Sequence, residues 1–114
     1  MLAKEYRLTS TSEFKLVKEK GKVFQFPNFS LSVLSRNDEN PTRFGIVVPN
    51  KVFSRAVDRS RVKRVLSEST RYELSSLKPG FDCVFLPKQS ILRAYTADVM
   101  KEVKSAFSKV KIVK

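Results

Sequence analysis

The chain has 114 residues, 41% hydrophobic and 30% charged, which suits one folded domain spanning residues 1–114. No apolar run approaches the ~18 residues of a membrane-spanning helix, so no membrane partner is expected. Lys and Arg number 23 against 11 Asp and Glu, giving a formal net charge of +12. Self-repulsion of this size opposes compaction, so a polyanionic partner is expected. Nucleic acid is favoured over an acidic membrane surface, because the chain has no Trp to anchor an amphipathic helix.

The residue types present also exclude several chemistries. The chain contains no His, which excludes Ser-His and Cys-His nucleophiles and every metal site that uses His. The acidic residues are scattered singly, which disfavours a metal-dependent nuclease. The single cysteine, Cys83, forms no internal disulfide and is expected to be a buried packing residue. With no apolar signal segment in residues 1–11, a cytoplasmic location is expected.

The first half of the chain predicts one helix and three strands. Ser10 and Glu13 have the spacing of a capping box, and the helix they begin ends at Gly21. A β-prone segment follows at residues 23–26, and alternation predicts a half-buried strand from Phe29 to Leu34. The turn-rich residues 36–41 lead to a third strand, residues 43–48. We expect the second and third strands to form an antiparallel hairpin.

The second half predicts two helices around a central strand. The longer helix covers Ala56–Leu77, with an apolar stripe that comprises Val62, Val65, Leu66, Ser69 and Tyr72. The apolar run Phe81–Leu86 suits a central strand, and a last helix has Thr96 as its N-cap. The apolar residues of the basic tail, 109–114, are compatible with an edge strand. The order is αβββαβα, an α+β sheet with its helices packed on one face.

The strongest local signal is the charge of residues 51–64. Six cations and one acid give this segment a net charge of +5, and the cations lie outside the predicted apolar stripe. Arginine suits phosphate because its planar guanidinium donates two parallel hydrogen bonds, and it also stacks on bases. An ordinary solvated helix face would instead intersperse acids for i,i+4 pairing. The segment therefore predicts a surface for nucleic acid.

Two neighbouring motifs resemble the signature of the protein subunit of bacterial ribonuclease P. They are R-F-G-I-V-V-P-N-K-V, starting at Arg43, and A-V-D-R-S-R-V-K-R, starting at Ala56. The resemblance extends outward to residues 6–8, to Glu13-Phe14 with Gly21, and to residues 79–82. It covers most of the chain, and the residue pattern independently predicts the element order of that family.

The resemblance implies a sandwich similar to ribosomal protein S5 domain 2, with a left-handed βαβ crossover. It also implies an accessory subunit of an endoribonuclease, with ribonuclease P RNA and precursor tRNA as partners and no small-molecule substrate. The RNA would carry catalysis and hold Mg²⁺, and the protein alone would be inactive. An alternative is a ribosomal or other structured-RNA binding domain without a processing role.

The resemblance also assigns site residues. Contact with the catalytic RNA is expected from Lys51, Arg55, Arg59, Ser60, Arg61, Lys63 and Arg64. A cleft for the 5′ leader of precursor tRNA is expected at Phe14, Lys18, Ser30 and Ser32. From the residues alone, Phe14 is equally suited to the core, and the two serines are equally suited to a solvent-facing side of the sheet. Three positions depart from the family pattern: Ser60 replaces an Asn, and Lys18 and Ser32 replace aromatic residues. We therefore expect the leader to be held more by charge than by stacking.

Overall fold

A computed structural model describes residues 2–114; Met1, the first residue of the predicted domain, lies outside them. Its elements follow the predicted αβββαβα order. They are α1 (Thr11–Lys20), β1 (Lys22–Gln25), β2 (Phe29–Ser35), β3 (Arg43–Ile46), α2 (Ala56–Arg71), β4 (Phe81–Pro87) and α3 (Thr96–Lys109). Short 3₁₀ turns lie at Lys4–Tyr6, Leu74–Ser76 and Gln89–Arg93.

The four strands form one sheet in the order β1-β2-β4-β3. The predicted hairpin of β2 and β3 is therefore wrong, because β4 lies between them and pairs antiparallel with β2 and parallel with β3. The connection at residues 36–42 is long enough to pass over the width of one strand. Arg36 holds it there: its guanidinium donates to the carbonyls of Asn40 and Pro41 at 2.9 and 2.8 Å. The apolar run of β4 occupies the centre of the sheet, as predicted.

The β3-α2-β4 connection is a left-handed crossover, as the resemblance implies. Phe44 of β3 and Phe85 of β4 belong to the core cluster on the sheet face that α2 covers. Consider an L residue in a strand that runs upward, viewed from the side of the sheet to which its side chain projects. The N–H and C=O groups of that residue both point to the viewer's right. The Phe85 carbonyl accepts a hydrogen bond from Val47 N–H (3.0 Å), so the chain leaving β3 lies to the right of β4. The crossover thus runs leftward in front of the sheet, opposite to the usual hand.

The helices cover both faces of the sheet, which corrects the prediction of one covered face. The main core is formed by β2, β4, α2 and α3, and its fully buried side chains include Phe29, Phe85, Leu66 and Phe107. A second, smaller cluster on the other face joins Val17 of α1 to Leu8 and Val84. Because side chains alternate along a strand, Val84 points away from its neighbours Cys83 and Phe85. The sheet therefore separates the core from a face that only α1 covers.

Helix ends and the tail differ in detail from the predictions. Helix α2 ends at Arg71, so Tyr72 lies at the C-cap and is 63% exposed, whereas the predicted stripe residues Val62, Leu66 and Ser69 are buried. The N-cap of α3 is Tyr95, one residue before Thr96. The tail adds no strand to the sheet; Val113 makes an isolated bridge to Leu77 instead.

The burial of Cys83 predicts an unreactive thiol. Burial, with a smaller contribution from the Asp82 carboxylate, raises the pKa of Cys83, so the nucleophilic thiolate is not formed near neutral pH. We expect iodoacetamide to modify the native protein only after denaturant is added, as measured by mass spectrometry. A Ser75→Cys variant, exposed in a turn, is the control that reacts in native buffer. Rapid modification of native Cys83 would contradict this packing.

Candidate nucleic-acid interface

The segment between β3 and α2 is an ordered loop built on one buried aromatic residue. Phe53 is 1% exposed, and its N–H and that of Val52 both donate to the Pro49 carbonyl, at 2.9 and 3.2 Å. Arg59 braces the same loop, because its Nη1 donates to the carbonyls of Phe53 and Ser54 at 2.8 and 3.0 Å. One side of the Arg59 guanidinium is thus engaged within the chain.

The remaining predicted RNA contacts lie on the surface. The exposed side chains are Lys51, Arg55, Ser60, Arg61, Lys63 and Arg64, and the structure places them in the loop and the first half of α2. Val62, in their midst, is buried against the core, so the helix presents its other sides to solvent. Within residues 2–114, Arg55 is the cation of this set that forms an ion pair. Its Nε lies 3.9 Å from Asp58 Oδ2. We call this set of exposed residues the α2 cationic surface.

The most buried acidic residue is held away from this surface, in a network around Arg43. Asp82, 3% exposed, accepts hydrogen bonds from Arg43 Nε (3.0 Å), from Arg43 Nη2 (2.9 Å) and from Arg36 Nη1 (2.7 Å). Arg43 Nη2 also donates to Glu13 of α1. These interactions raise the pKa of Arg43, and the hydrogen bond to Asp82 contributes most. The predicted capping box is wrong, since the Ser10 side chain makes no cap bond and Glu13 reaches β3 instead.

Helix α1 and the sheet enclose a groove of about 480 Å³. Its lining residues are Thr11, Phe14, Lys15 and Lys18 from α1 and Ser32, Val47, Val84 and Leu86 from the sheet side. Of the four residues predicted for the leader cleft, Phe14, Lys18 and Ser32 meet here. Ser30 lies on the same sheet face but outside the lining, and its hydroxyl donates to Gln25 Oε1 at 2.7 Å. We call this cavity the α1 groove.

Sequence reasoning missed five lining residues of the α1 groove, although signals for some were present. Thr11, Lys15 and Lys18 recur at helical spacing, which places them on one side of α1. Val84 and Leu86 pair with Ser32 and Ser30 in the sheet, so they share one face. That pairing depends on β4 lying beside β2, which the predicted hairpin had excluded.

The aromatic ring of the α1 groove, that of Phe14, packs directly against Gly45. A Cβ added at Gly45 would overlap the ring carbons of Phe14, so the ring lies directly on the backbone of β3. Two residues earlier on the same strand, Arg43 binds Glu13, the neighbour of Phe14. In the R-x-G motif, Arg43 thus binds Glu13 and Gly45 contacts the ring of Phe14. These two contacts set the position of α1 over the sheet.

Neither a metal centre nor a membrane span is built from the described part of the chain. Residues 2–114 contain no group of three or more His, Cys, Asp or Glu side chains placed to hold an ion. Helices in the same range are too short or too polar to cross a bilayer.

The fold and these surfaces define a class, that of small basic α+β proteins with a cationic helix exposed on one side. The Ribonuclease P family profile matches residues 2–111, and the chain belongs to this family. It is 30% identical to the ribonuclease P protein component of a Cyanothece species, over 99% of this chain and 98% of that one. The protein component from Clostridium acetobutylicum is 36% identical, over 96% of this chain and 92% of that one.

Solved structures support the same assignment. The ribonuclease P protein of Staphylococcus aureus superposes with a TM-score of 0.86 over 97% of this chain and 100% of that one, and at 21% identity this likeness supports the fold. The protein from Thermotoga maritima gives a TM-score of 0.80 at 26% identity, over 90% and 96% of the two chains. The family functions as the protein component of a ribonuclease in tRNA processing, so a structured-RNA binding domain without a processing role is not supported.

The contact between Gly45 and Phe14 predicts a measurable coupling. Gly45→Ala forces the ring away, and we expect it to lower the free energy of unfolding by about 1–3 kcal/mol, as overpacking does. In the Gly45→Ala, Phe14→Ala double variant this clash is absent. The two losses should therefore sum to more than the loss measured for the double variant by urea denaturation. Additive losses would show that the ring does not rest on Gly45.

Proposed function

We propose that this chain is the protein component of a ribonucleoprotein in which it binds ribonuclease P RNA through the α2 cationic surface. The observation that carries this proposal is the set of exposed cations on α2 and the loop before it, while Asp82 and Glu13 are engaged by Arg43 elsewhere. A surface of this kind gains affinity from the release of counterions condensed on RNA. The braced loop before α2 adds precision, because Arg59 holds the backbone from which Lys51 and Arg55 extend.

We further propose that the α1 groove receives the 5′ leader of precursor tRNA. Lys15 and Lys18 supply positive charge along its helical side, and Phe14 supplies one aromatic surface for a base. Ser32 on the sheet side offers a hydroxyl where the family pattern has an aromatic ring. Binding of the leader by this chain therefore relies on phosphate contacts more than on stacking.

Catalysis is assigned to the RNA subunit, and Mg²⁺ to sites held mainly by that RNA. The described residues do not fit a magnesium site of their own, because Asp82 already accepts hydrogen bonds from two guanidinium groups. The chain also has no His to act as a general base near neutral pH. We propose that the protein alone is inactive, takes no small-molecule substrate, and works in the cytoplasm, where a single free cysteine stays reduced.

Reconstitution tests the proposed function. We expect the protein to increase cleavage of precursor tRNA by a bacterial ribonuclease P RNA at low magnesium, because its cations replace part of the counterion requirement. The gain should be larger for a precursor with a long leader than for one truncated to a single leader nucleotide. Protein without RNA is the control and should cleave nothing. An unchanged rate, or cleavage by the protein alone, would contradict the proposal.

The salt dependence of binding tests which residues contact the RNA. Replacing Arg61 and Arg64 with Gln should reduce the slope of log affinity against log salt by roughly 1.5, because each lost phosphate contact contributes about 0.7–0.9. Filter binding to ribonuclease P RNA over a series of salt concentrations gives this slope. The matched control replaces Lys101 and Lys104, which are exposed on α3, with Gln. Equal effects of the two pairs would show that only net charge matters.

A further inference from the structure

A second groove, of about 510 Å³, lies at the end of the sheet where the chain leaves α3. Its floor is apolar and is formed by Phe24, Val33, Phe81 and Val110, and Leu34 and Ser35 complete the β2 part of the lining. Four lysines line it, two from the α1–β1 junction and two from the end of α3: Lys20, Lys22, Lys109 and Lys111. None of the residues of the α2 cationic surface, and none of the α1 groove, lines this cavity. We call it the lysine groove.

The charge of the lysine groove has a single sign. All four lysines are exposed, and the part of its lining that belongs to residues 2–114 includes no Asp or Glu. The Lys109 ammonium lies 5.9 Å from the centre of the Phe26 ring, a cation–π contact with a residue outside the lining. A concave surface with one sign of charge focuses the electrostatic field and attracts a flexible anion.

Lys109 and Lys111, the groove lysines at the end of α3, lie in an ordered turn. Lys111 adopts a left-handed backbone, with φ +63°, which turns the chain back so that the next side chain, Ile112, is fully buried. The turn is then fixed by hydrogen bonds from Lys78 N–H to the Ile112 carbonyl (2.7 Å) and from Lys114 N–H to the Ser76 carbonyl (2.8 Å). Because the backbone is already ordered, a ligand orders only the lysine side chains when it binds.

We propose that the lysine groove binds an unpaired segment of RNA, with its phosphates on the lysines and its bases on the apolar floor. The partly exposed rings of Phe24 and Phe81 provide the sequence-tolerant stacking surface that single strands use. The volume lies within the ~300–1,000 Å³ of ligand pockets, which suits a few nucleotides and not a duplex. The inference rests on the proposed function, since the α1 groove takes the leader there and the catalytic RNA of the same ribonucleoprotein supplies the unpaired segment.

Photocrosslinking from an introduced cysteine tests the lysine groove. Ser35→Cys places a thiol in the lining and Ser105→Cys places one on the exposed surface of α3, whereas native Cys83 is fully buried and stays unlabelled. Each variant carries a thiol-linked photocrosslinker and is bound to ribonuclease P RNA alone, then with leader-bearing or leaderless precursor tRNA. We expect RNA crosslinks from position 35 that exceed those from position 105 at least five-fold. Crosslinks already present with ribonuclease P RNA alone support the inference, whereas crosslinks that appear only with leader-bearing precursor tRNA would overturn it.

Charge removal gives the second readout. Lys109→Gln with Lys111→Gln should reduce the position 35 crosslink several-fold and reduce the salt slope for an oligouridine by about 1.4, at about 0.7 per phosphate for single strands. Position 35 crosslinks no stronger than those of position 105, or crosslinks formed with a polyglutamate peptide in preference to RNA, would overturn the inference. Stimulation of ribonuclease P RNA by the unmodified protein, measured in parallel, separates the two claims, because it fails only if the proposed function fails.

Discussion

The buried carboxylate of Asp82 anchors the ion-pair network that holds the β2–β3 loop, β3 and α1 together. A carboxylate this deeply buried is stable only with charged hydrogen-bond partners, and Arg36 and Arg43 supply them from the two ends of the β2–β3 connection. Since Arg43 also binds Glu13, the same network reaches α1 and holds it over the second face of the sheet. The β2–β3 loop, the edge strand β3 and the α1 groove therefore share one electrostatic support.

This network also shapes the surface that remains. Glu13 and Asp82 are engaged with Arg36 and Arg43 at the end of β3 opposite the α2 cationic surface. The net charge of +12 follows from the composition, and the fold distributes it over separate basic surfaces. We propose that these surfaces supply positive charge to the RNA and position it, and that the RNA partner breaks the phosphodiester bond.

Much of the fold could be predicted from local patterns, and the failures have physical causes. The apolar run of β4 placed that strand at the centre, and hydrophobic periodicity together with the turn-forming residues gave the element order. The hairpin prediction failed because turn residues indicate a reversal of the chain without indicating which strand comes to lie beside it. The left-handed crossover followed from the family resemblance alone, since hydrophobic periodicity carries no information on handedness.

The functional surfaces were likewise predictable where their residues are adjacent in sequence, and not where the tertiary fold brings them together. The α2 cationic surface was predicted from adjacent residues, whereas Arg59 was assigned only to RNA although its guanidinium also braces the loop before α2. The α1 groove was found only in part, because Val47 and Leu86 join it through the sheet order. The lysine groove combines residues from distant parts of the chain, so no local pattern could indicate it.

Side-chain footprinting of the assembled ribonucleoprotein tests whether the α2 cationic surface contacts ribonuclease P RNA. Lysine and arginine side chains are modified in the free protein and in complex with ribonuclease P RNA, and the rates are compared residue by residue by mass spectrometry. We expect strong protection of Lys51, Arg61, Lys63 and Arg64, with Lys101 and Lys104 on α3 left reactive. Unchanged reactivity of the α2 cationic surface in a complex active on precursor tRNA would contradict this expectation.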